Sequence, residues 1–258
     1  MFSVAIPIYN HAKFARQAIW SALRCPLVQE ILVVDDGSND GSEKIAASMA
    51  VAHPGRVRDL TLPSGGNRGA HNRLNELVEQ AQCEWVAVLN SDDAFVSGRF
   101  EGIVRDPEFA DCDFAFGNLL FMDERGVLTG AKRGPLDFRV LTLPSFELLR
   151  MVAERRFAEL LRQQNYLIST SNMVFRKSLH ARIGGFRPYR YVHDWDFALR
   201  ATELGRAAYI RRFLTAYRIH SGNTIQESEQ KARAETRAML AACLSPAQSV
   251  SPSDLKEG

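Results

Sequence analysis

Two short apolar runs that each end in paired aspartates constrain this chain more than any other feature. Trp85 to Leu89 runs into Asn90-Ser91-Asp92-Asp93, and Ile31 to Val34 runs into Asp35-Asp36. A short, almost wholly apolar run reads as a strand buried on both faces, the pattern of a parallel sheet. Adjacent carboxylates at the end of such a strand repel each other and resist desolvation. A divalent cation would resolve that conflict, and open α/β sheets bind ligands at the carboxyl ends of their strands. The first expectation is therefore a metal-dependent site for a phosphorylated ligand.

The stretches around these runs alternate between strand and helix patterns. Phe2 to Tyr9 reads as a first strand, and Asn10 as a cap for a helix through about Leu23. A turn from Gly37 to Gly41 leads to a helix carrying Ile45, Ala46 and Met49. Val57 to Leu62 is a weaker strand, and the loop Ser64 to Gly69 precedes a helix with Leu74, Leu77 and Val78 inward. Strands separated by helices imply right-handed crossovers, which bring both acidic pairs to one sheet edge. Beyond Asp93, Cys112 to Met122 with Val127-Leu128 suggests a hairpin. Ser145 to about Gln163 reads as one amphipathic helix, and Ser171 to Phe175 as a strand. His193 opens a helix through Leu204, and a β segment follows from Ala207 to Ile219. A last helix spans about Glu227 to Leu244, and the Ser- and Pro-containing tail from Ser245 is expected to be disordered.

The 258 residues suffice for a large core, and a net charge of +2 argues against a bulk nucleic-acid binder. Cys25, Cys83, Cys112 and Cys243 show no metal or disulfide spacing, as expected of reduced thiols in a cytoplasmic protein. Neither a signal peptide nor a membrane-spanning run is read, although docking on the inner face of a membrane stays open. No dinucleotide-binding or P-loop motif is present. The run ILVVDD also opens phosphoacceptor receiver domains, but here it ends the second strand rather than the first and lacks a later Lys-Pro partner. The Gly-rich basic loop of sugar nucleotidyltransferases is missing too.

The segments VAIPIYN, ILVVDDGSNDGS, NRGAHNRLN and VAVLNSDD occur in an order and spacing that resembles bacterial family 2 glycosyltransferases of the GT-A fold. The likeness continues through SNMVFRKSLHARIGGF, HDWDFALRATELG and YRIHSGNT, and so covers about 2–224. It implies an α/β protein with a Rossmann-like, mostly parallel central sheet flanked by helices and a C-terminal acceptor-side extension. One domain over 1–224 would hold a nucleotide-binding half to about 110 and an acceptor-side half after it, followed by a helix at 225–244 and a tail at 245–258.

The resemblance also assigns roles. Pro7 and Tyr9 would line the nucleotide base pocket, and Asp36 would accept a hydrogen bond from the base, with UDP-sugars favoured. Asp92 would contact ribose or a metal-bound water, and Asp93 would be the direct ligand of Mg²⁺ or Mn²⁺. His220 would help to hold the metal–diphosphate, or be an ordinary packed histidine. Arg68 is a candidate for base or phosphate contact, or a solvated loop arginine. Asp194 falls at the family's catalytic base position, where many members have Glu-Asp and this chain has His193-Asp194. Asp196, two residues on, points to the opposite side of a helix and suits the helix dipole instead. Trp195 would stack on a sugar or pack into the core. Lys132 to Leu143 is the expected loop over bound nucleotide. The implied reaction is inverting transfer of a sugar from a nucleotide-diphosphate donor to a glycan or lipid-linked acceptor in cell-surface polysaccharide synthesis. A catalytically silent nucleotide-sugar-binding module is the alternative that keeps Asp36 and Asp93. Ser145 to Gln163 and the last helix, each basic beside an apolar face, would either dock on anionic lipid or pack on the catalytic domain.

Overall fold

The computed structural model describes residues 1–62, 66–137, 145–223 and 229–244. The tail from Ser245, the second half of the proposed nucleotide loop (138–143) and part of the Ser64–Gly69 loop lie outside these residues. The N-terminal half runs β1 (Phe2–Ile8), α1 (Ala15–Leu23), β2 (Val28–Asp35), α2 (Ser42–Ala52), β3 (Val57–Asp59), α3 (Ala70–Gln80) and β4 (Trp85–Val88). Then follow β5 (Ala94–Phe95), α4 (Arg99–Val104), β6 (Phe114–Met122), β7 (Leu128–Lys132), α5 (Ser145–Ala153) and α6 (Phe157–Gln163). The chain ends with β8 (Met173–Arg176), α7 (Lys177–Arg182), α8 (His193–Leu204), β9 (Ala207–Arg218) and α9 (Glu229–Leu244).

These strands form one sheet in the order β3-β2-β1-β4-β8-β6-β9-β5, with β7 paired to β6. β3, β2, β1 and β4 are all parallel, and β9 is parallel to β6, whereas β8, β7 and β5 run against their neighbours. The chain proceeds outward from β1 to β3, then crosses back to lay β4 on the other side of β1. That reversal is a topological switch point, where the loops at the carboxyl ends of β1 and β4 part and leave a crevice.

Two cores cover the two sheet faces, and the strands divide their side chains between them with period two. Leu32, Val34, Val86 and Val88 join the core under α3, α5, α6 and α8, while Ile31, Val33, Ala87 and Leu89 join the one under α1, α2 and α4. Burial on both faces is why these strands read as continuous apolar runs.

Two expectations need correction. Asn10 does not cap α1: it sits at φ 53°, its Oδ1 accepts from Asn39 N at 3.0 Å, and α1 begins only at Ala15. The amide of Phe14 reaches back to His11 O instead, so residues 11–14 form a turn between β1 and the helix. The helix expected over 145–163 is two helices. Arg155, at φ 56°, donates its N–H to Val152 O, and Arg156 donates to Met151 O. This is the left-handed termination that usually takes glycine, so an arginine there leaves no signal in the sequence.

The last helix packs on the domain. Ala232 and Met239 of α9 are buried, and Leu240 and Cys243 lie against the larger core. The Glu235 carboxylate accepts from Arg190 N (2.8 Å), Tyr191 N (2.6 Å) and Val192 N (3.2 Å). The apolar stripe of α9 is thus spent on the core and on the segment that enters α8, not on a lipid surface.

Candidate active site

Loops from the carboxyl ends of β1, β2 and β4 meet the end of β9 at the switch point. After β2 the two aspartates separate in role. Asp35 accepts from Gly37 N, Ser38 N and Ser38 Oγ and so folds its own turn. Asp36, 4% exposed, accepts from Arg68 N (2.8 Å), Gly69 N (2.9 Å) and Arg73 Nε (2.7 Å). It ties the loop before α3 to the sheet edge. The Arg68 side chain is half exposed and pairs with Glu76. Pro7 lies within β1 opposite Val34 and is partly buried, and Tyr9 is 45% exposed just beyond the strand.

After β4 the aspartates separate again. Asp93, 1% exposed, accepts from Ser171 Oγ (2.6 Å), Ser169 Oγ (3.1 Å) and Arg218 N (2.9 Å). Burial, aided by the Asp92 charge, pushes its carboxyl up to about 8. Asp92 meets His220 Nε2 at 3.1 Å and His11 Nε2 at 3.9 Å. Burial opposes its charge, but the His220 hydrogen bond and the His11 and His220 charges outweigh it and hold its carboxyl below the ordinary range. One ligand atom each from His11, Asp92 and His220 lies within 4.8 Å of the others. Two imidazoles and a carboxylate at this spacing suit a divalent metal ion. The chain thus gathers Asp92, rather than the expected Asp93, with His220, while Asp93 turns toward the Ser169–Ser171 turn.

Asp194 lies in the first turn of α8, 8% exposed, where its Oδ1 accepts from Trp195 N (2.7 Å) and its Oδ2 from Asn165 Nδ2 (3.1 Å). Burial raises its carboxyl above the ordinary range, against the His193 charge and these two bonds. Asp196 is fully buried and paired with Arg200, whose guanidinium also donates to Ile183 O and Gly185 O. Asp196 is therefore engaged in holding the Gly184-Gly185 turn. Trp195 donates Nε1 to Leu161 O at 2.7 Å and packs against the core, which answers the choice between sugar stacking and packing. The Tyr217 hydroxyl is pushed up by burial and by the charges of Asp93, Asp92 and Asp194 together. The charges of the acid pair after β4 and of the α8 carboxylate therefore act on one hydroxyl.

Several site residues escaped the sequence reading. His11 follows β1 at a carboxyl strand end, the placement that marked the acidic pairs, and could have been found by that signal. Arg73, 1% exposed, sits on the inward face of α3 beside Leu74. Ser169, Ser171, Arg218 and Asn223 reach the acids from 76 or more positions away and carry no local signal. A surface depression of about 540 Å³ lined by Lys13, Phe14, Gln17, Asp123, Glu124 and Arg125 adjoins this cluster through Phe14, whose ring lies 4.9 Å from that of His220, and its rim is bridged by the Lys13–Glu124 pair.

A parallel α/β half with an acid–imidazole cluster at its switch point is the arrangement by which open α/β sheets bind ligands. The family model "Glycosyl transferase family 2" matches residues 3–190, and the chain belongs to that family. The minor teichoic acid biosynthesis protein GgaA of Bacillus subtilis is 31% identical over 108 residues, 40% of this chain and 24% of GgaA. The structure of Staphylococcus aureus TarS 1-349 in complex with UDP-GlcNAc superposes with TM-score 0.69 at 16% identity, covering 95% of this chain and 67% of that one. The mannosyltransferase PcManGT from Pyrobaculum calidifontis, in complex with GDP-Man and Mn²⁺, does so with TM-score 0.61 at 18% identity, covering 94% and 63%. These likenesses establish the GT-A fold. The chain spans less than half the length of the curated relatives it matches first. Family membership sets aside the receiver-domain reading of ILVVDD.

Proposed function

We propose that this chain transfers a glycosyl group from a nucleoside-diphosphate sugar, with a UDP-sugar favoured, to an acceptor hydroxyl, inverting the anomeric centre, in cell-surface polysaccharide synthesis. The observation that carries the reading is the gathering of Asp92, His220 and His11 at the switch point. Asp36 takes three N–H donors and keeps acceptor capacity for a fourth, which suits a base N–H above the β2 edge. Pro7, Tyr9 and Arg68 border the same edge and frame the base and ribose. Asp92 and His220 hold the divalent cation, Mn²⁺ or Mg²⁺, and Asp93 stiffens the turn that carries Asp92. When bound, that cation supplies positive charge against the departing diphosphate.

Asp194 takes the acceptor proton as the acceptor oxygen attacks. A buried carboxylate with a raised pKa is a stronger base than an exposed one, and the Asn165 and Trp195 bonds fix its orientation. The acceptor is a glycan or a lipid-linked hydroxyl. No helix among the described residues is long and apolar enough to cross a membrane. A cytoplasmic chain working at the inner membrane face would offer Phe146 and Leu149, exposed on α5 beside Arg150, to lipid. Vesicle flotation at low and high salt measures that contact.

The test is a thermal-shift screen of UDP-, GDP- and TDP-sugars with and without Mn²⁺, followed by release of nucleoside diphosphate. One base should shift the melting temperature, more so with metal, and release should follow. Binding without any release in the presence of acceptor glycans would favour the silent binding module. No shift with any donor would overturn the reading.

A further inference from the structure

The cluster around Asp92 holds more than a carboxylate and one histidine. His11 comes from the other side of the crevice, from the turn after β1, and it is held from several directions. Its backbone N–H donates to Ser42 Oγ at 3.0 Å, and its Nδ1 lies 2.8 Å from Ser91 Oγ. Its ring meets Phe14 edge-on at 6.1 Å and His220 at 5.6 Å. Hydrogen bonding of Nδ1 to a fixed hydroxyl leaves Nε2 free to ligate, the way ligating histidines are oriented in metal sites.

The spacing is close to that of an assembled site. Nitrogen and oxygen ligands lie about 2.0–2.2 Å from a zinc-sized ion, so neighbouring ligand atoms in a tetrahedral set stand about 3.3 Å apart. Asp92 Oδ2 stands 3.1 Å from His220 Nε2 and 3.9 Å from His11 Nε2, on either side of that value. Ligation through Nε2 would shift the His220 proton from Nε2, where it faces Asp92 Oδ2, to Nδ1, so the 3.2 Å bond from Gly222 N to Nδ1 would be given up. Both Asp92 separations lie within about 0.6 Å of the tetrahedral spacing.

We propose that His11 is a third protein ligand, so that His11, Asp92 and His220 bind a divalent ion of the Mn²⁺, Co²⁺ or Zn²⁺ class before nucleotide arrives and discriminate against Mg²⁺. This deepens the reading above and rests on the same site. Mg²⁺ favours oxygen donors and keeps its waters, and a single carboxylate holds it weakly without phosphate oxygens. Two imidazoles raise affinity for first-row transition ions selectively. The metal then forms part of the protein's resting state, and the nucleotide meets a preformed centre.

The test is titration calorimetry of the full chain at neutral pH with MnCl₂, ZnCl₂ and MgCl₂, without nucleotide and then with UDP, alongside pulsed EPR of the Mn²⁺ form. One equivalent of Mn²⁺ and of Zn²⁺ should bind without UDP, at least tenfold more tightly than Mg²⁺. Two nitrogen couplings should appear by EPR. His11→Ala should weaken Mn²⁺ and Zn²⁺ at least tenfold, leave Mg²⁺ within twofold and lose one nitrogen coupling. His11→Gln serves as a second variant, and circular dichroism checks that each is folded. Metal binding that requires UDP, or that His11→Ala and His11→Gln leave unchanged, would overturn the His11 assignment and leave the glycosyltransferase reading standing. No binding of metal or UDP in any combination would overturn both.

Discussion

At the scale of single residues, the acid pair after β4 is divided by its partners, since both carboxylates are buried. Asp92 shares a cluster with two histidines, whereas Asp93 is enclosed by two serine hydroxyls and an amide and is pushed up to about 8. Asp93→Asn can keep all three bonds, because an amide oxygen still accepts from Arg218 N and the amide donates to hydroxyls able to rotate. We expect Asp93→Asn to retain Mn²⁺ binding within about threefold and Asp92→Asn to lose it by tenfold or more, roughly the worth of a charged ligand. Calorimetry of the two variants decides between them, and the reverse order would return the ligand role to Asp93. Asp194 carries a second prediction. Its folded pKa is raised, so the fold binds that proton more tightly than the unfolded chain does. The stabilisation is complete below the ordinary carboxylate range and is lost as pH rises through the raised value. Relative to Asp194→Asn, the wild type should therefore lose stability as pH rises from the ordinary carboxylate range through the raised value, measured by urea midpoints. The same substitution should lower kcat by roughly 10²–10⁴ with nucleotide affinity retained. The wild-type rate should fall in acid at a pH above the usual aspartate range.

At the scale of elements, the helices place site residues more than they stabilise themselves. α9 is the clearest case, since Glu235 binds three successive amides just before α8 and so fixes the start of the helix that carries Asp194. Glu235→Ala leaves those amides without their carboxylate partner. It should cost about 1–3 kcal/mol in denaturant melts, the worth of a hydrogen bond to a charged group, and lower kcat more than it raises KM. An unchanged kcat would leave Glu235 a purely structural role. The α5–α6 break gives a test of local strain. A left-handed non-glycine residue costs about 1–2 kcal/mol, offset in part by the greater entropy a glycine loses on folding. Arg155→Gly should therefore stabilise the chain by less than about 1 kcal/mol. A loss of stability would mean that the exposed Arg155–Glu108 contact at 3.6 Å matters more than exposed pairs usually do.

At the scale of the whole molecule, a buried cation ties α4 to β8, β9 and the turn before β8 in the mixed half of the sheet. Arg99 of α4, 1% exposed, donates to Ser171 O (2.9 Å), Leu214 O (3.1 Å), Met173 O (3.4 Å) and Thr215 Oγ1, and its guanidinium lies 4.3 Å over the Phe95 ring. It supports from below the turn whose serines hold Asp93. Arg99→Met preserves length but leaves several buried carbonyls with fewer donors. At about 1–3 kcal/mol for each unsatisfied group, the loss should be at least about 3 kcal/mol in urea unfolding. A change under about 1 kcal/mol would show that the carbonyls find other donors.

The sequence by itself determined the N-terminal half. Runs such as ILVV and WVAVL are apolar on both faces because helices cover both sides of the sheet, and that burial is written locally in composition. The acidic pairs reached one edge because every strand of that half is parallel, and parallel order follows from alternation of strand and helix. Local signals faded where the sheet becomes mixed. The two-residue β5, the short α4 and α7, and the Arg155 stop depend on contacts across the sheet and on backbone strain, which leave no periodicity. Only the tertiary structure decided which partners each aspartate of a pair takes. Asp35 and Asp36 are adjacent, as are Asp92 and Asp93, and nothing local tells them apart. Their roles come from partners far along the chain: Arg68 and Arg73 on Asp36, Ser169, Ser171 and Arg218 on Asp93, His220 and His11 on Asp92. Burial and charge at a site are sums over the folded neighbourhood, and that neighbourhood exists only once the chain has closed around the switch point.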